Sequence, residues 1–242
     1  MPVQHQVEPF TEFVPGNHLV LGAAGVGKTR LIWSLLQSQK FCGEKRINIV
    51  LTDSAKRMWQ EHTENPVIPV DPYATNMRWI AEPTEPGIYL AACDYLPRVI
   101  TFLECLANFA RRYEGTIPNP VRVFVDYPHK FWRDACFVEQ LGRLHFISES
   151  LSDDGAQLFE IWLVLTPSKE LPPNAQSLWR NSHFILMNPI SQAWLQEADV
   201  FAGKHQPPLS ALKDVWSKDV SQGFYYLPHK AENILLSNQA IG

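Results

Sequence analysis

The chain has 242 residues, of which 45% are apolar and 19% charged, and its formal net charge is −4. A chain of that length buries a full core without staples, and its composition excludes wholesale disorder, which requires low hydrophobicity with high net charge. The acidic balance excludes a broad polycation surface for nucleic acid, leaving room only for a local basic groove.

Read in order, apolar runs alternate with helical periods. Residues 18–22 (HLVLG) form a short apolar run, predicted as a strand. Residues 28–39 follow with Leu31, Ile32, Leu35 and Leu36 on one helical face. Ile47–Thr52 (INIVLT) is a bounded β-branched run, hence a buried strand, and Gly87–Ala92 (GIYLAA) is predicted as another. Between them, residues 66–79 (PVIPVDPYATNMRW) are expected to be an ordered loop. Residues 98–113 carry Val99, Phe102, Leu103, Leu106, Phe109, Ala110 and Tyr113, the clearest 3.6-residue period in the chain. Residues 121–125 (VRVFV) form a strand, 135–151 a second periodic helix, and 158–165 (LFEIWLVL) and His183–Met187 (HFILM) complete the strand set. Strands alternating with helices imply an α/β fold, with a mostly parallel central sheet and helices on both faces. The expected organisation is a single domain over 1–242, with an N-terminal arm at 1–16 and C-terminal strands at about 223–236.

Several classes find no support. The four cysteines (Cys42, Cys93, Cys105, Cys136) have no metal-ligand spacing and read as buried thiols of a reducing compartment. Eight histidines show no HExxH, and no GxSxG elbow occurs. No charged-then-apolar leader opens the chain and no stretch is apolar enough to span a bilayer, so a cytoplasmic protein without a membrane segment is expected. Trp33, Trp162 and Trp194 lie in apolar runs and are expected in the core.

The sharpest signal joins the first strand to the first helix. Gly22-Ala23-Ala24-Gly25-Val26-Gly27-Lys28-Thr29 is a full GxxxxGK[ST] match, followed by Arg30. Phosphate oxygens need several donors at once, and a backbone loop supplies them only where no Cβ blocks its approach. Lys28 would reach the β- and γ-phosphates, Thr29 would offer its hydroxyl to Mg²⁺, and the positive end of the helix dipole would face the anion. Residues 22–30 are therefore assigned to ATP, with Lys28 catalytic.

Such a loop needs a carboxylate at the end of a buried strand to hold Mg²⁺ through water. Asp126, closing VRVFVD, fits best, and Asp53, closing NIVLTD, is its rival. The metal set is thus Thr29 and Asp126. Thr166 ends LFEIWLVLT, where a hydroxyl can touch the γ-phosphate or the attacking water.

With these residues the chain resembles the RecA-like division of P-loop ATPases, and within it the HerA–FtsK class of DNA-pumping motors, across about residues 17–236. Only the phosphate loop is a stringent match. Asp53 with residues 54–57, the stretch 87–97 before the long helix, the strand ending in Thr166-Pro167, and Trp179-Arg180-Asn181 ahead of HFILM are softer likenesses. The resemblance implies a homo-oligomeric ring with ATP between subunits, Arg180 as a catalytic finger reaching a neighbour's site, and DNA and proteins as partners.

One position departs from that pattern. Motors of this division carry a glutamate directly after the strand-ending aspartate, to polarise water. Here that residue is Tyr127, whose phenol is a poor base at neutral pH. Glu139, Glu149, Glu160 and His129 are its candidate replacements, and Tyr127→Glu is expected to speed hydrolysis if the ring-motor reading holds. Lys130 and Arg133 beside Phe131 and Trp132 form a compact basic–aromatic cluster that either stacks on bases or, more simply, packs its rings inward. The sequence therefore points to an ATPase that moves or remodels DNA. Its competitors are a nucleotide-dependent switch or assembly factor with little hydrolysis and, less well supported, a small-molecule kinase, for which the scattered arginines offer no lid. A GTPase fits least, since no NKxD motif follows.

Overall fold

A computed structural model describes residues 13–37, 46–53, 67–72, 87–112, 120–127, 129–150, 159–166, 178, 182–187, 224–227 and 235–237. Apolar runs with no alternation must be covered on both faces, and six of them become the parallel body of one sheet. In chain order these are β1 (His18–Leu21), β2 (Ile47–Thr52), β4 (Gly87–Ala92), β5 (Val121–Asp126), β6 (Phe159–Leu165) and β7 (His183–Met187). β3 (Val67–Pro69) is added at one edge; β8 (Phe224–Leu227) and β9 (Leu235–Ser237) are added at the other. The sheet order is β3-β4-β2-β5-β6-β1-β7-β8-β9, parallel from β3 through β7 and antiparallel for the β7–β8 and β8–β9 pairs.

Strand periodicity divides the core in two. Val20, Val50, Phe124, Trp162, Val164 and Ile185 face α1 (Lys28–Gln37), which buries Leu31, Ile32 and Leu36 on them. Leu35 and Trp33 are only half-buried. Leu19, Leu21, Ile49, Val123, Ile161 and Leu163 face α2 (Leu96–Arg112) and α4 (Ala135–Ser150). Helices therefore cover both faces of a mostly parallel sheet. The long helix starts two residues before its periodic pattern because Pro97 lies in its first turn, where the missing N–H costs no bond. α4 is capped by Asp134, whose Oδ1 accepts the Phe137 N–H at 2.9 Å. A short helix, α3 (His129–Trp132), precedes it.

Some expectations are corrected. The 66–79 stretch contains strand β3, which is short and ends in a proline without an N–H. Such a strand is tolerated only at an edge, and β3 pairs with β4 alone. Of the cysteines, Cys93 is buried, but Cys105 is half-buried and Cys136 exposed, since Cys136 lies on the outer side of α4. Trp162 is a core residue at 0% exposure; Cys42 and Trp194 lie outside the described residues.

Because β1 to β7 run the same way, all their amino ends share one edge and all their carboxyl ends the other. The amino edge is closed by charge and rings. Glu160 in β6, 2% exposed, is held by Arg122 of β5 (Nε to Oε2, 2.7 Å) and by Arg46 (Nη1 to Oε1, 2.9 Å). His18 stacks on Trp162 at 3.9 Å between centroids, and Phe13 meets both rings edge-on. The Tyr226 hydroxyl accepts the Val14 N–H at 3.1 Å, which ties β8 to the start of the chain. The opposite edge is where the sequence motifs meet.

Candidate functional site

β1 delivers the chain to the carboxyl edge at Leu21, and residues 22–27 curl there before α1 begins. Gly22 cannot be replaced. A Cβ on it would lie 2.7 Å from both Met187 Cβ and Val26 Cγ2, inside any real contact distance. Gly25 is required for the opposite reason. Its φ of +81° is left-handed, yet a Cβ there would meet nothing within 4 Å. The tip of the loop, residues 23–25, is exposed, so its backbone is open to a ligand. Val26 and Gly27 are half-buried, and Arg30 points out from the first turn of α1.

Lys28 is buried at 9% exposure, and its Nζ donates to the carbonyls of Gly22 and Ala23, each at 2.7 Å. The ammonium is thus folded over its own loop, at the centre of the curl. One residue on, the Thr29 hydroxyl donates to Asp126 Oδ2 at 2.6 Å, joining the start of α1 to the end of β5. That is a short, charge-assisted bond between residues 97 apart. Thr166 follows β6 directly, and because Leu21 pairs with Leu165, it stands level with Gly22 beside the loop. β6 separates the strand carrying the loop from the strand carrying Asp126, so Thr166 lies between the two.

No protein-family model matches the sequence, and no curated protein does. Among solved structures, the chain is similar to the genome packaging NTPase B204 from Sulfolobus turreted icosahedral virus 2. Against its ATP-γ-S complex the identity is 12% and the TM-score 0.54, over 96% of this chain and 100% of that one. Against the sulfate complex the values are 12% and 0.53, over 93% and 97%. The fold is that of a P-loop NTPase, RecA-like and α/β.

Within this P-loop NTPase fold the donor set suits a hard divalent cation. A hydroxyl has one proton and two lone pairs, so Thr29 can bond Asp126 and still present oxygen to an ion. Among the described residues no group of three or more His, Cys, Asp or Glu converges as a ready-made cage. Mg²⁺ fits such a site, since it keeps several waters and takes few protein ligands alongside substrate phosphates. Thr29 and Asp126 are the residues that would hold it. Of the two rival carboxylates, Asp126 is the one that Thr29 bonds. Asp53 stands level with Tyr127, and its charge helps push the Tyr127 phenol up, so it lies toward the α2–α4 face. Thr52, which the sequence shows only as the last residue of a buried run, closes β2 in register with Asp126.

Tyr127 itself turns away from the loop. It is 5% exposed, stacked on Phe131 at 4.6 Å and edge-on to Phe137 at 5.8 Å, and its carbonyl accepts the Trp132 indole N–H at 3.2 Å. Burial, then Cys93 and Asp53, hold its phenol far above the usual range, so it stays neutral. Tyr127→Glu would place a carboxylate among these rings, so it is expected to destabilise the fold rather than speed hydrolysis. The rings of Phe131 and Trp132 are 1% and 0% exposed; they pack inward and are not offered to bases. Lys130 and Arg133 remain exposed on α3 and just after it.

The proposed replacements for the missing glutamate fare differently. Glu160 is at the amino edge, between two arginines, and cannot reach the loop. Glu149 pairs with His145 Nδ1 at 3.3 Å near the end of α4, and Glu139 is exposed on the same helix. The His129 side chain and Arg180 lie outside the described residues.

Proposed function

We propose that this protein binds MgATP on residues 22–30 and, as a homo-oligomeric ring of the HerA–FtsK type, couples its turnover to movement or remodelling of DNA. The observation that carries the reading is the Thr29–Asp126 hydrogen bond at the carboxyl edge, beside a loop that only glycines can shape. The likeness to a structure named as a genome packaging NTPase supports the same class.

On this reading, Lys28 exchanges the carbonyls of Gly22 and Ala23 for phosphate oxygens. The N–H groups of the loop and the start of α1 add donors at no cost in rearrangement. Bound Mg²⁺ supplies neutralisation of charge on the β- and γ-phosphate oxygens. Thr29 and Asp126 fix where that charge sits, and Thr166 places a hydroxyl beside the loop. Arg180 is proposed to act from one subunit on the next.

Steady-state ATP hydrolysis by the full chain, with and without single- and double-stranded DNA, tests this. Stimulation that Lys28→Ala abolishes is the expected result. ATP binding with slow turnover and no response to DNA would favour a nucleotide-dependent switch. The inward packing of Tyr127 speaks for that second reading.

A further inference from the structure

Among the described residues, the carboxyl edge contains a buried polar group with no hydrogen-bond partner. Thr52 is 0% exposed, and its Oγ1 has no hydrogen-bond partner among the described residues. Thr52 pairs with Asp126 on one side and with Ala92, which has no polar side-chain atom, on the other. Strand alternation puts its side chain on the same face as Val50, the α1 face, where Thr29 meets Asp126. An unpartnered atom alone says little: Asn48 Oδ1 also has no partner among the described residues, but Asn48 pairs with Arg122 toward the amino edge. Thr52 differs in standing beside the carboxylate assigned to the metal.

A buried hydroxyl is costly when unmatched, because it gives up water and receives nothing in return. It can both donate and accept. Mg²⁺ brings its own waters into a site of few protein ligands, and such a water offers the missing partner. We propose that Thr52 is a positioning residue of the metal site, its hydroxyl holding by hydrogen bond the water through which Asp126 retains Mg²⁺. This rests on the MgATP reading above. Outer partners of this kind typically change metal affinity 10- to 100-fold.

The test is thermal unfolding of the full chain without ligand, with a non-hydrolysable ATP analogue in chelator, and with the analogue over a Mg²⁺ titration. Thr52→Val keeps the shape and removes the hydroxyl. Its melting temperature should equal or exceed the parent's without ligand and in chelator. The Mg²⁺ concentration giving half of the additional shift should rise about tenfold. Thr52→Ser should keep the parent's response, and Asp126→Asn should lose most of it. If Thr52→Val keeps the parent's Mg²⁺ dependence while Asp126→Asn loses it, the Thr52 role is overturned and the metal site stands. If neither variant alters the dependence, the metal-site reading fails and Thr52's role with it. A clear drop in the unliganded melting temperature of Thr52→Val would show the hydroxyl serving the fold, and would also overturn the proposal.

Discussion

The two edges of the sheet handle buried charge in opposite ways. At the amino edge, Glu160 is answered by two arginines from its own chain, and His18, Trp162, Phe13 and Tyr226 close over the strand ends. At the carboxyl edge, Lys28 rests on two carbonyls of its own loop, and Thr52 has a hydroxyl with no described partner. An arginine–carboxylate network already has its counter-charge. The Lys28 ammonium donates to two neutral carbonyls, which an incoming anion can replace with charge-assisted bonds. The difference teaches that buried polarity by itself does not mark function. What marks it is polarity placed where a ligand can take over from neutral partners.

If that contrast is sound, Glu160→Ala should harm the fold most. It leaves two cations without their shared anion, and a loss of about 3–5 kcal/mol is expected in denaturant unfolding. Nucleotide affinity of the folded fraction should be unchanged; weakened binding there would blur the distinction between the edges.

Acid should act on the folded frame next. His145 is buried against α4's neighbours, with Ser182 Oγ 2.9 Å from its Nε2, and burial lowers its pKa to about 4. The folded form therefore binds fewer protons than the unfolded chain between the ordinary value of 6.5 and 4. Its stability contribution is complete above pH 6.5 and is lost as pH falls toward 4, at most about 3 kcal/mol. His18, lowered chiefly by burial and then by His183 and Arg122, acts in the same direction. Unfolding free energy measured across that range should fall with acid, and His145→Gln should flatten the slope.

Lys28→Ala inverts the Glu160 result. ATP affinity should fall at least about 100-fold, or about 2.7 kcal/mol, while the melting temperature stays within a few degrees of the parent's. Calorimetric titration showing parental affinity would remove the loop from the site. Tyr127→Phe should do least: stability within about 1 kcal/mol and turnover within about twofold of the parent. A large loss of turnover would mean that the phenol serves the reaction despite its packing.

Much of this was legible because the deciding chemistry is local. Three glycines, a lysine and a threonine in eight residues carry their geometry with them, and an aspartate closing an apolar run must emerge at a strand's carboxyl end. Strand order was not legible, because nothing in LFEIWLVL says that it lies between the loop strand and the acid strand. β3 was missed since three residues ending in proline show no alternation. Inward packing of Phe131 and Trp132 was the simpler reading of that cluster, whereas the inward turn of Tyr127 depends on α4 packing against it, which no spacing in the loop encodes. The amino-edge network did leave a trace. Glu160 and Arg122 each interrupt an otherwise apolar strand, and a buried charge demands an opposite one nearby. Reading that pair would have removed Glu160 from the water-activating candidates.

The central claim is that residues 22–29 hold a triphosphate while Thr29 and Asp126 keep its magnesium. The most direct measurement is a calorimetric titration of the full chain with ATP, once in Mg²⁺ and once in chelator. The account predicts one site per chain that tightens at least about tenfold when Mg²⁺ is present, with the tightening lost in Asp126→Asn. No binding in either condition, or an affinity indifferent to Mg²⁺ in the parent, would contradict it.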